Sequence, residues 1–250
     1  MISAVVLGGS QNNGPLRESV QVDYEALLPL GKKVMVEYVV EALLLSRHIR
    51  RIVVVGPAKE LSSRMTDPRI TVTGIVGDVI DNLNAGVTML PEEKRVLIVT
   101  SDVPLLTASA VDSFIELCGD MSGDLYYPVI PKSALEKRFT NFKRTYVKFK
   151  EGVFTGGNVF LLNPAIIQRC TEFGHKLFGM RKSPIGLCRI IGFSFLLKYL
   201  LGMLSLEDVR EKASCLLGVR GEVVISQNPE IGMDVDKPGD LKLVRSILEA

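Results

Sequence analysis

Short apolar runs that are rich in β-branched residues most constrain the fold of this chain. The clearest run, residues 96–99, reads Val-Leu-Ile-Val and continues as Thr-Ser-Asp-Val-Pro. Four consecutive apolar residues are typical of a strand that is buried on both faces. Pro104 cannot donate a hydrogen bond to a sheet ladder and ends the strand. The run therefore predicts a central strand with helices packed on both sides of its sheet.

Apolar runs of strand length alternate along the chain with segments of helical apolar spacing. We predict strands at residues 2–7, 51–55, 70–73, 96–99, 124–131, 144–150 and 159–162, a last central strand at 222–226, and helices at 34–46, 79–90 and 108–117. This alternation implies an α/β fold with a mostly parallel sheet and right-handed crossovers. The 250 residues are enough for one sizeable core, so we expect residues 1–250 to form a single domain.

Charge and cysteine content disfavour several classes of protein. A net charge of +2 gives no electrostatic case for nucleic-acid binding. The four cysteines are far apart and include no Cys-x-x-Cys pair, which indicates reduced core thiols rather than a zinc site or a disulfide framework. The apolar run at residues 4–7 is too short for a signal peptide and follows no basic residue. We therefore expect a cytoplasmic protein.

A helical elaboration is predicted at residues 176–218. Its centre, residues 185–206, is strongly apolar but contains Arg189 and Lys198, and a membrane-spanning helix rarely carries two such cations. We expect short helices that cover the core. An amphipathic lid on a lipid-like substrate, with membrane contact through residues 185–206, stays open as the alternative.

A glycine-rich loop, residues 8–10, follows the first predicted strand. Backbone N–H groups in such a loop can hold a phosphate. Ser10 and Asn13 stand where a dinucleotide fingerprint has glycines, and residues 15–16, Pro-Leu, replace the Lys and hydroxyl of a P-loop. The loop therefore disfavours nicotinamide dehydrogenases and P-loop NTPases. Arg17 is the nearest cation for a polyphosphate, unless it is a solvated loop residue.

Asp102 lies just past the predicted strand at residues 96–99. Ligands of open α/β sheets bind at this carboxyl edge, and a carboxylate there can hold Mg²⁺ against substrate phosphates. The alternative is that Asp102 caps the helix that follows. Near the end of the chain, Pro238 suits the first turn of a final helix, and Asp236 is placed to cap that helix.

Two glycines mark the entrance to the strand at residues 159–162, in the sequence Thr155-Gly156-Gly157-Asn158. Glycines at such a point let another group approach the backbone closely, or they form a bulge. Because polar Thr155 and Asn158 flank them, we favour the approach of a substrate.

These motifs together resemble the MobA-like nucleotidyltransferases, which are NTP transferase domains of GT-A-like fold. The resemblance rests on residues 4–10, 26–32 (Ala-Leu-Leu-Pro-Leu-Gly-Lys), 101–107 (Ser-Asp-Val-Pro-Leu-Leu-Thr) and 235–241 (Val-Asp-Lys-Pro-Gly-Asp-Leu). It implies a Rossmann-like three-layer sandwich with a mixed, mostly parallel central sheet. The helical segment at residues 176–218 is an insertion relative to the usual family core.

The resemblance also implies an activity and a set of site residues. Enzymes of this family transfer NMP from an NTP to a phosphorylated acceptor, such as a sugar phosphate or a cofactor precursor, with Mg²⁺ and with release of pyrophosphate. The implied nucleotide-binding residues are Leu7, Gly8, Gly9, Ser10, Gly77, Asn82 and Ser101. The implied metal ligands are Asp102 and Asp236, and the catalytic cations are Arg17 and Lys32. The acceptor-binding residues are Thr155, Gly156, Gly157, Asn158, Arg181 and Lys182.

One position departs from the family pattern. Glu25 precedes Ala-Leu-Leu-Pro where relatives commonly carry lysine, and this exchange reverses a charge that is expected to face the triphosphate. Either Arg17, Lys32 or Lys33 compensates, or the site is impaired and the protein binds a nucleotide without turnover. A glycosyltransferase that uses a nucleotide-sugar is a further alternative, but it would normally present Asp-x-Asp where this chain has Asp102-Val-Pro.

Overall fold

In the computed structural model, the apolar runs form strands and the segments with helical spacing form helices. The structure describes residues 1–139, 142, 144–180 and 192–249. The strands are β1 (Ile2–Leu7), β2 (Pro29–Leu30), β3 (Lys33–Val34), β4 (Ile49–Val55), β5 (Ile70–Thr73), β6 (Val96–Thr100), β7 (Leu125–Pro131), β8 (Val147–Phe149), β9 (Gly152–Gly156), β10 (Val159–Leu162) and β11 (Gly221–Ile225). The helices are α1 (Met35–Leu45), α2 (Ala58–Leu61), α3 (Val79–Thr88), α4 (Ala108–Leu117), α5 (Lys132–Arg138), α6 (Ile167–Met180), α7 (Phe193–Leu200), α8 (Leu206–Leu217) and α9 (Pro238–Leu248).

Strand β1 shows how the sequence produces layers. Ala4 and Val6 lie in one apolar core, and Val5 and Leu7 lie in a second core on the opposite face of the sheet, because successive side chains of a strand point to opposite faces. Helices α1 and α4 contribute to the first core, and α3 and α6 contribute to the second. All four β1 side chains are buried. The uninterrupted apolar run is therefore explained by burial on both faces.

The main sheet is mixed. Its nine strands in the described residues have the order β5-β4-β1-β6-β10-β7-β9-β8, and β11 pairs with β7. Strands β5, β4, β1 and β6 are mutually parallel, and β11 is parallel to β7. Strands β10 and β9 are antiparallel to their neighbours, so seven of the nine strands point the same way. The predicted fold, a Rossmann-like α/β sandwich with a mixed, mostly parallel sheet, is confirmed.

Two strand predictions need correction. The last predicted strand is β11, and among the described residues it pairs only with β7, so it is an edge strand rather than a central one. The strand predicted at residues 144–150 is shorter in the structure, where only Val147–Phe149 (β8) pairs with β9. Apolar alternation in a half-exposed segment does not show where pairing stops.

The helical region begins earlier than predicted, with α6 at Ile167 rather than at residue 176. The expectation that residues 185–206 cover the core holds in the described part only at the end of the segment. Leu204 and Leu206 are buried, and Leu206 lies in a core cluster with Val129 and Phe154. Leu200 and Leu201 at the end of α7 are instead 70% and 62% exposed. Within the described ranges, none of the helices combines the length and the apolar character that crossing a membrane requires.

Gly86 lets α3 pack directly on the sheet. An added Cβ would lie 2.5 Å from Val5 Cγ1 and 2.9 Å from Val55 Cγ2. We expect Gly86→Ala to lower the free energy of unfolding by about 1–2 kcal/mol, because a close-packed core cannot accept a methyl group without moving. Urea denaturation measures the change. Gly239→Ala in α9, where the added methyl meets nothing within 4 Å, is the control and should be neutral or stabilising by up to about 1 kcal/mol. Equal losses in both variants would contradict the prediction.

Candidate active site

The candidate site forms where β1 and β6 end beside each other. Leu7 is paired with Thr100 in the parallel register, and the Ser101 N–H donates to the Leu7 carbonyl at 3.1 Å. The Gly8 N–H donates to the carbonyl of Val55, the last residue of β4, at 2.7 Å. The glycine loop and the residues after β6 therefore leave the sheet at the same edge, which is where α/β sheets bind ligands.

A cavity of about 430 Å³ opens at this edge, a size within the range of small-molecule sites. Its walls come from the glycine loop, the turn that begins at Glu25, the loop before α3 and the residues after β6. The lining residues are Leu7, Gly9, Ser10, Gln11, Glu25, Gly77, Asp78, Val79, Asn82, Thr100, Ser101 and Asp102. The structure thus brings together most of the residues that we predicted for nucleotide and metal. Gly8 adjoins them in the chain but is not among the lining residues.

Asn82 holds the loop before α3 against the glycine loop. Its buried side chain accepts a hydrogen bond from the Val76 N–H at 3.0 Å and donates to the Gly77 carbonyl at 3.2 Å. A Cβ at Gly9 would lie 2.7 Å from Asn82 Nδ2, so this close approach requires glycine at position 9. The two loops therefore form one wall of the cavity.

Three carboxylates converge beside the end of β6. One oxygen each of Asp102, Asp234 and Asp236 lies within 4.8 Å of the other two. The backbone brings them together, because the Val235 N–H donates to the Asp102 carbonyl at 2.8 Å. We predicted Asp102 and Asp236 but missed Asp234. The sequence does carry a signal for Asp234, because it lies two residues before Asp236. Residues two apart in an extended segment face the same side.

Neither Asp102 nor Asp236 caps a helix. The Thr107 hydroxyl accepts a hydrogen bond from the first turn of α4 at 3.2 Å, so the alternative that Asp102 caps this helix is wrong. The Asp240 carboxylate accepts from the two backbone N–H groups that precede α9, at 3.2 and 2.9 Å. The prediction that Asp236 caps the final helix is therefore also wrong, because the residue at the N-cap position is Lys237.

Glu25 adds a fourth carboxylate to the site. Burial, together with the negative charges of Asp102 and Asp236, raises the pKa of Glu25 to about 7. Burial is also the main reason why the pKa of Asp102 is raised, although the Thr100 hydroxyl donates to its carboxylate and opposes the shift. Carboxylates held this close disfavour one another's charge, and a bound cation relieves that repulsion.

Arg144 is a cation that the structure places directly against this cluster. Its Nη1 forms an ion pair with Asp234 Oδ1, and the two side chains are only 14% and 12% exposed. The guanidinium carbon also lies 5.9 Å from the centroid of the Phe142 ring. We read Arg144 only as the first residue of a half-exposed strand, so sequence reasoning missed its position in the site.

Comparison with known proteins identifies the family. The family model of the MobA-like NTP transferase domain matches residues 23–179. This chain belongs to that family. A hypothetical transferase from Thermus thermophilus is 35% identical, with a TM-score of 0.84 over 96% of this chain and 99% of that chain. A search of curated proteins finds no significant match.

More distant solved structures share the fold of this MobA-like protein. CMP:2-keto-3-deoxy-manno-octonic acid synthetase in complex with CTP is 14% identical, with a TM-score of 0.60 over 99% of this chain and 98% of that chain. A 4-diphosphocytidyl-2C-methyl-D-erythritol synthase from Anaerococcus prevotii is 11% identical, with a TM-score of 0.62 over 100% and 96%. These distant neighbours show the fold alone. The family match shows the class of activity, and the protein is a nucleotidyltransferase.

The carboxylate cluster of this MobA-like domain fits Mg²⁺. Carboxylate oxygens are the hard ligands that Mg²⁺ prefers, and one or two protein carboxylates usually suffice because water and substrate phosphates complete the shell. Asp102 and Asp236 could supply both ligands while Asp234 keeps its pair with Arg144.

The predicted catalytic cations do not line the cavity. Arg17 lies 3.9 Å from Asp23, and Lys32 is exposed in the turn between β2 and β3. Their catalytic roles stay predictions. Arg181 and Lys182, predicted to meet the acceptor, lie outside the described residues.

The segment at residues 155–158 reaches the same edge of the sheet, because the Thr100 N–H donates to the Asn158 carbonyl at 3.2 Å. The chain itself approaches Gly157 closely, since a Cβ there would lie 2.7 Å from Ile231 Cγ2. Glycine at this position is therefore explained by internal packing, and the acceptor-binding role of residues 155–158 stays a prediction.

We expect Asn82→Ala to reduce the affinity for a nucleotide by about tenfold and the stability by about 1 kcal/mol. The Val76 N–H would lose its buried acceptor. The cavity wall would also lose the hydrogen bonds by which Asn82 supports it. Thermal shift with Mg²⁺ and NTP measures the first effect, and urea denaturation measures the second. Asn84→Ala on the same helix is the control, because Asn84 donates instead to the Thr171 hydroxyl at 3.2 Å. Equal nucleotide affinity in the two variants would contradict the role of Asn82.

Proposed function

We propose that the protein transfers NMP from an NTP to a phosphorylated acceptor in a Mg²⁺-dependent reaction that releases pyrophosphate. The observation that carries this proposal is that the glycine loop, Asn82 and Asp102 line the same cavity. A backbone hydrogen bond between Val235 and Asp102 holds Asp236 beside Asp102. The nucleotide base and the identity of the acceptor are open in this proposal, and sugar phosphates and cofactor precursors are the leading acceptor classes.

The chemistry needs positioning and charge neutralisation more than covalent help from the protein. Backbone N–H groups of the glycine loop would bind phosphate oxygens of the NTP, and Asn82 would fix the wall against which the nucleotide lies. Asp102 and Asp236 would hold Mg²⁺, which supplies positive charge to the phosphate oxygens when it is bound. Arg17 and Lys32 remain candidates for further neutralisation.

An acceptor phosphate can act as the nucleophile without a protein base, because its second pKa is near 6 and it is ionised at neutral pH. One of its oxygens forms a bond to the α-phosphorus of the NTP. The bond between the α-phosphorus and the oxygen that bridges to the β-phosphate breaks, and pyrophosphate leaves with the electron pair. Residues 155–158, Arg181 and Lys182 stay our candidates for binding this acceptor.

The proposal covers the whole chain as one nucleotidyltransferase domain, because Asp102 and Asp236 come from distant parts of the sequence and complete one cluster. We place the reaction in the cytoplasm, where nucleoside triphosphates are available. The partners are small molecules; a net charge of +2 gives no reason to add nucleic acid.

A thermal-shift screen of the four NTPs, each with Mg²⁺ and with EDTA, tests the proposal first. A ligand at one hundred times its Kd adds about 2.7 kcal/mol of stability, so a bound NTP gives a clear shift. We expect one NTP to stabilise the protein more with Mg²⁺ than with EDTA. Pyrophosphate release is then measured with that NTP and a panel of sugar 1-phosphates and other phosphomonoesters. The absence of any NTP-dependent shift, or a shift that EDTA leaves unchanged, would overturn the proposal.

A further inference from the structure

Two buried polar atoms, on Arg144 beside the carboxylate cluster and on Tyr146 two residues further along the chain, have no hydrogen-bond partner among the described residues. They are Nε of Arg144 and the hydroxyl oxygen of Tyr146. A buried donor without an acceptor costs free energy, and nearly all such groups in folded proteins are satisfied. Arg144 Nε can only donate, and the Tyr146 hydroxyl can donate as well as accept, so one acceptor of hydrogen bonds could satisfy both.

A second cation, Lys132, lies close to Tyr146. Lys132 Nζ lies 5.4 Å from the centroid of the Tyr146 ring, although Lys132 also has Glu136 within 3.4 Å. The pKa of Tyr146 is raised by burial and by the charge of Glu136, and the nearby guanidinium of Arg144 opposes this shift. Arg144, two residues before Tyr146, and Lys132 therefore both bring positive charge to the neighbourhood of Tyr146, and this combination suits an anion with several oxygens.

This region lies on the other side of β6 from the glycine loop. In the sheet, β1 neighbours β6 on one side, and β10, β7 and β9 follow on the other. Arg144 belongs to the second side, because it lies three residues before β8, and β8 pairs with β9. The ion pair with Asp234 ties Arg144 to the cluster between the two sides.

We propose that Arg144, Tyr146 and Lys132 form the site that binds the phosphate group of the acceptor. The inference rests on the proposed function and deepens it, because it assigns the acceptor phosphate to named residues. The planar guanidinium of Arg144 keeps Asp234 with Nη1 and offers Nε to a phosphate oxygen. The phosphate is thereby held next to the carboxylates that would carry Mg²⁺, on the side opposite the nucleotide phosphates.

Binding of inorganic phosphate tests the inference. The nucleotide site is first saturated with Mg²⁺ and the α,β-methylene analogue of the NTP that stabilises the protein most, so that phosphate cannot enter that site. Phosphate is then titrated at constant ionic strength by isothermal calorimetry. We expect binding to the wild-type protein, about tenfold weaker binding to Arg144→Met, and a smaller loss in Tyr146→Phe, which keeps the ion pair with Asp234. Affinity for the analogue should change less than about twofold in Tyr146→Phe, because this variant leaves the pair between Arg144 and Asp234 intact.

Arg138→Met is the matched control, because Arg138 also pairs with a buried acid, Glu230, and should bind phosphate as the wild type does. Arg144→Lys keeps the charge and serves if Arg144→Met does not fold; it should bind phosphate with intermediate affinity. Phosphate binding that is equal in all folded variants, or absent in the wild type, would overturn the inference. If no analogue binds to the wild type, the proposed function fails, and the same titration with Mg²⁺ alone still decides whether Arg144 and Tyr146 bind phosphate.

Discussion

Asp102→Asn is expected to reduce the rate of pyrophosphate release by about 10²–10³-fold. The substitution keeps the size of the side chain, and the amide oxygen can still accept the hydrogen bond from the Thr100 hydroxyl. It removes the negative charge that would hold Mg²⁺ together with Asp236, and phosphoryl transfer depends on neutralised phosphate oxygens. Initial rates at saturating NTP, measured over a range of Mg²⁺ concentrations, separate weaker metal binding from a lower maximal rate.

Asp81→Asn is the matched control for this prediction. Asp81 belongs to a second group of potential ligands, with Asp78 and His175, whose ligand atoms also lie within 4.8 Å of one another. This group has a structural use, because Asp78 accepts from the Ile80 N–H at 2.8 Å at the start of α3 and lies 2.9 Å from His175 Nδ1. The control should change the rate by about twofold or less. A wild-type rate in Asp102→Asn, or an equal loss in Asp81→Asn, would remove Asp102 from the mechanism.

The central strands were predictable because burial on both faces leaves an uninterrupted apolar run. The bounds of β5, β10 and α4 agree with the sequence-based prediction residue for residue. Prediction fails where burial is one-sided or absent, as at residues 144–150, because the extent of pairing there depends on the partner strand. The sequence also predicted β11 as a central strand although it lies at an edge. A strand with one neighbour and a strand with two can have the same local apolar pattern.

Some residues of the candidate site could likewise be predicted from the sequence, and others could not. Residues in short motifs beside a strand end, such as Ser10, Asn82 and Asp102, could be predicted because the sheet carries them to a common edge. Arg144 could not, because it meets Asp234 across 90 residues of sequence and no local motif marks the contact. Which distant cation faces a carboxylate depends on the course of irregular loops, and apolar periodicity does not encode that course.

Glu25 stands where the resemblance drawn from the sequence implies a lysine, and its neighbours Asp102 and Asp236 in the structure are acidic. The pKa of about 7 exceeds the ordinary value of 4.5, so the folded protein binds a proton here more tightly than the unfolded chain does. Between pH 4.5 and 7, stability therefore falls as pH rises, and above pH 7 the full penalty is present. The penalty applies to the metal-free protein, because a bound cation favours the charged form of Glu25.

Glu25→Gln is expected to make the metal-free protein more stable at pH 8, by about 2 kcal/mol after an allowance for solvent screening at this half-buried position. The amide keeps the shape of the side chain but carries no charge to repel Asp102 and Asp236. The difference between variant and wild type should shrink as pH falls through 7 and be small near pH 4.5, where Glu25 is protonated in the folded protein and about half protonated in the unfolded chain. Urea denaturation in EDTA across this pH range measures it.

Added Mg²⁺ should reverse the order of stability, because the wild type gains a favourable charge interaction with the cation that Glu25→Gln lacks. Glu18→Gln is the control, since Glu18 is exposed on the preceding turn and its change should stay within about 0.5 kcal/mol at every pH. A gain at pH 8 that persists unchanged at pH 4.5 would contradict the titration of Glu25 as its cause. If Glu25→Lys, which installs the residue common among relatives, releases pyrophosphate faster than the wild type, then glutamate impairs the site; a slower variant would mean that glutamate is part of a working charge balance.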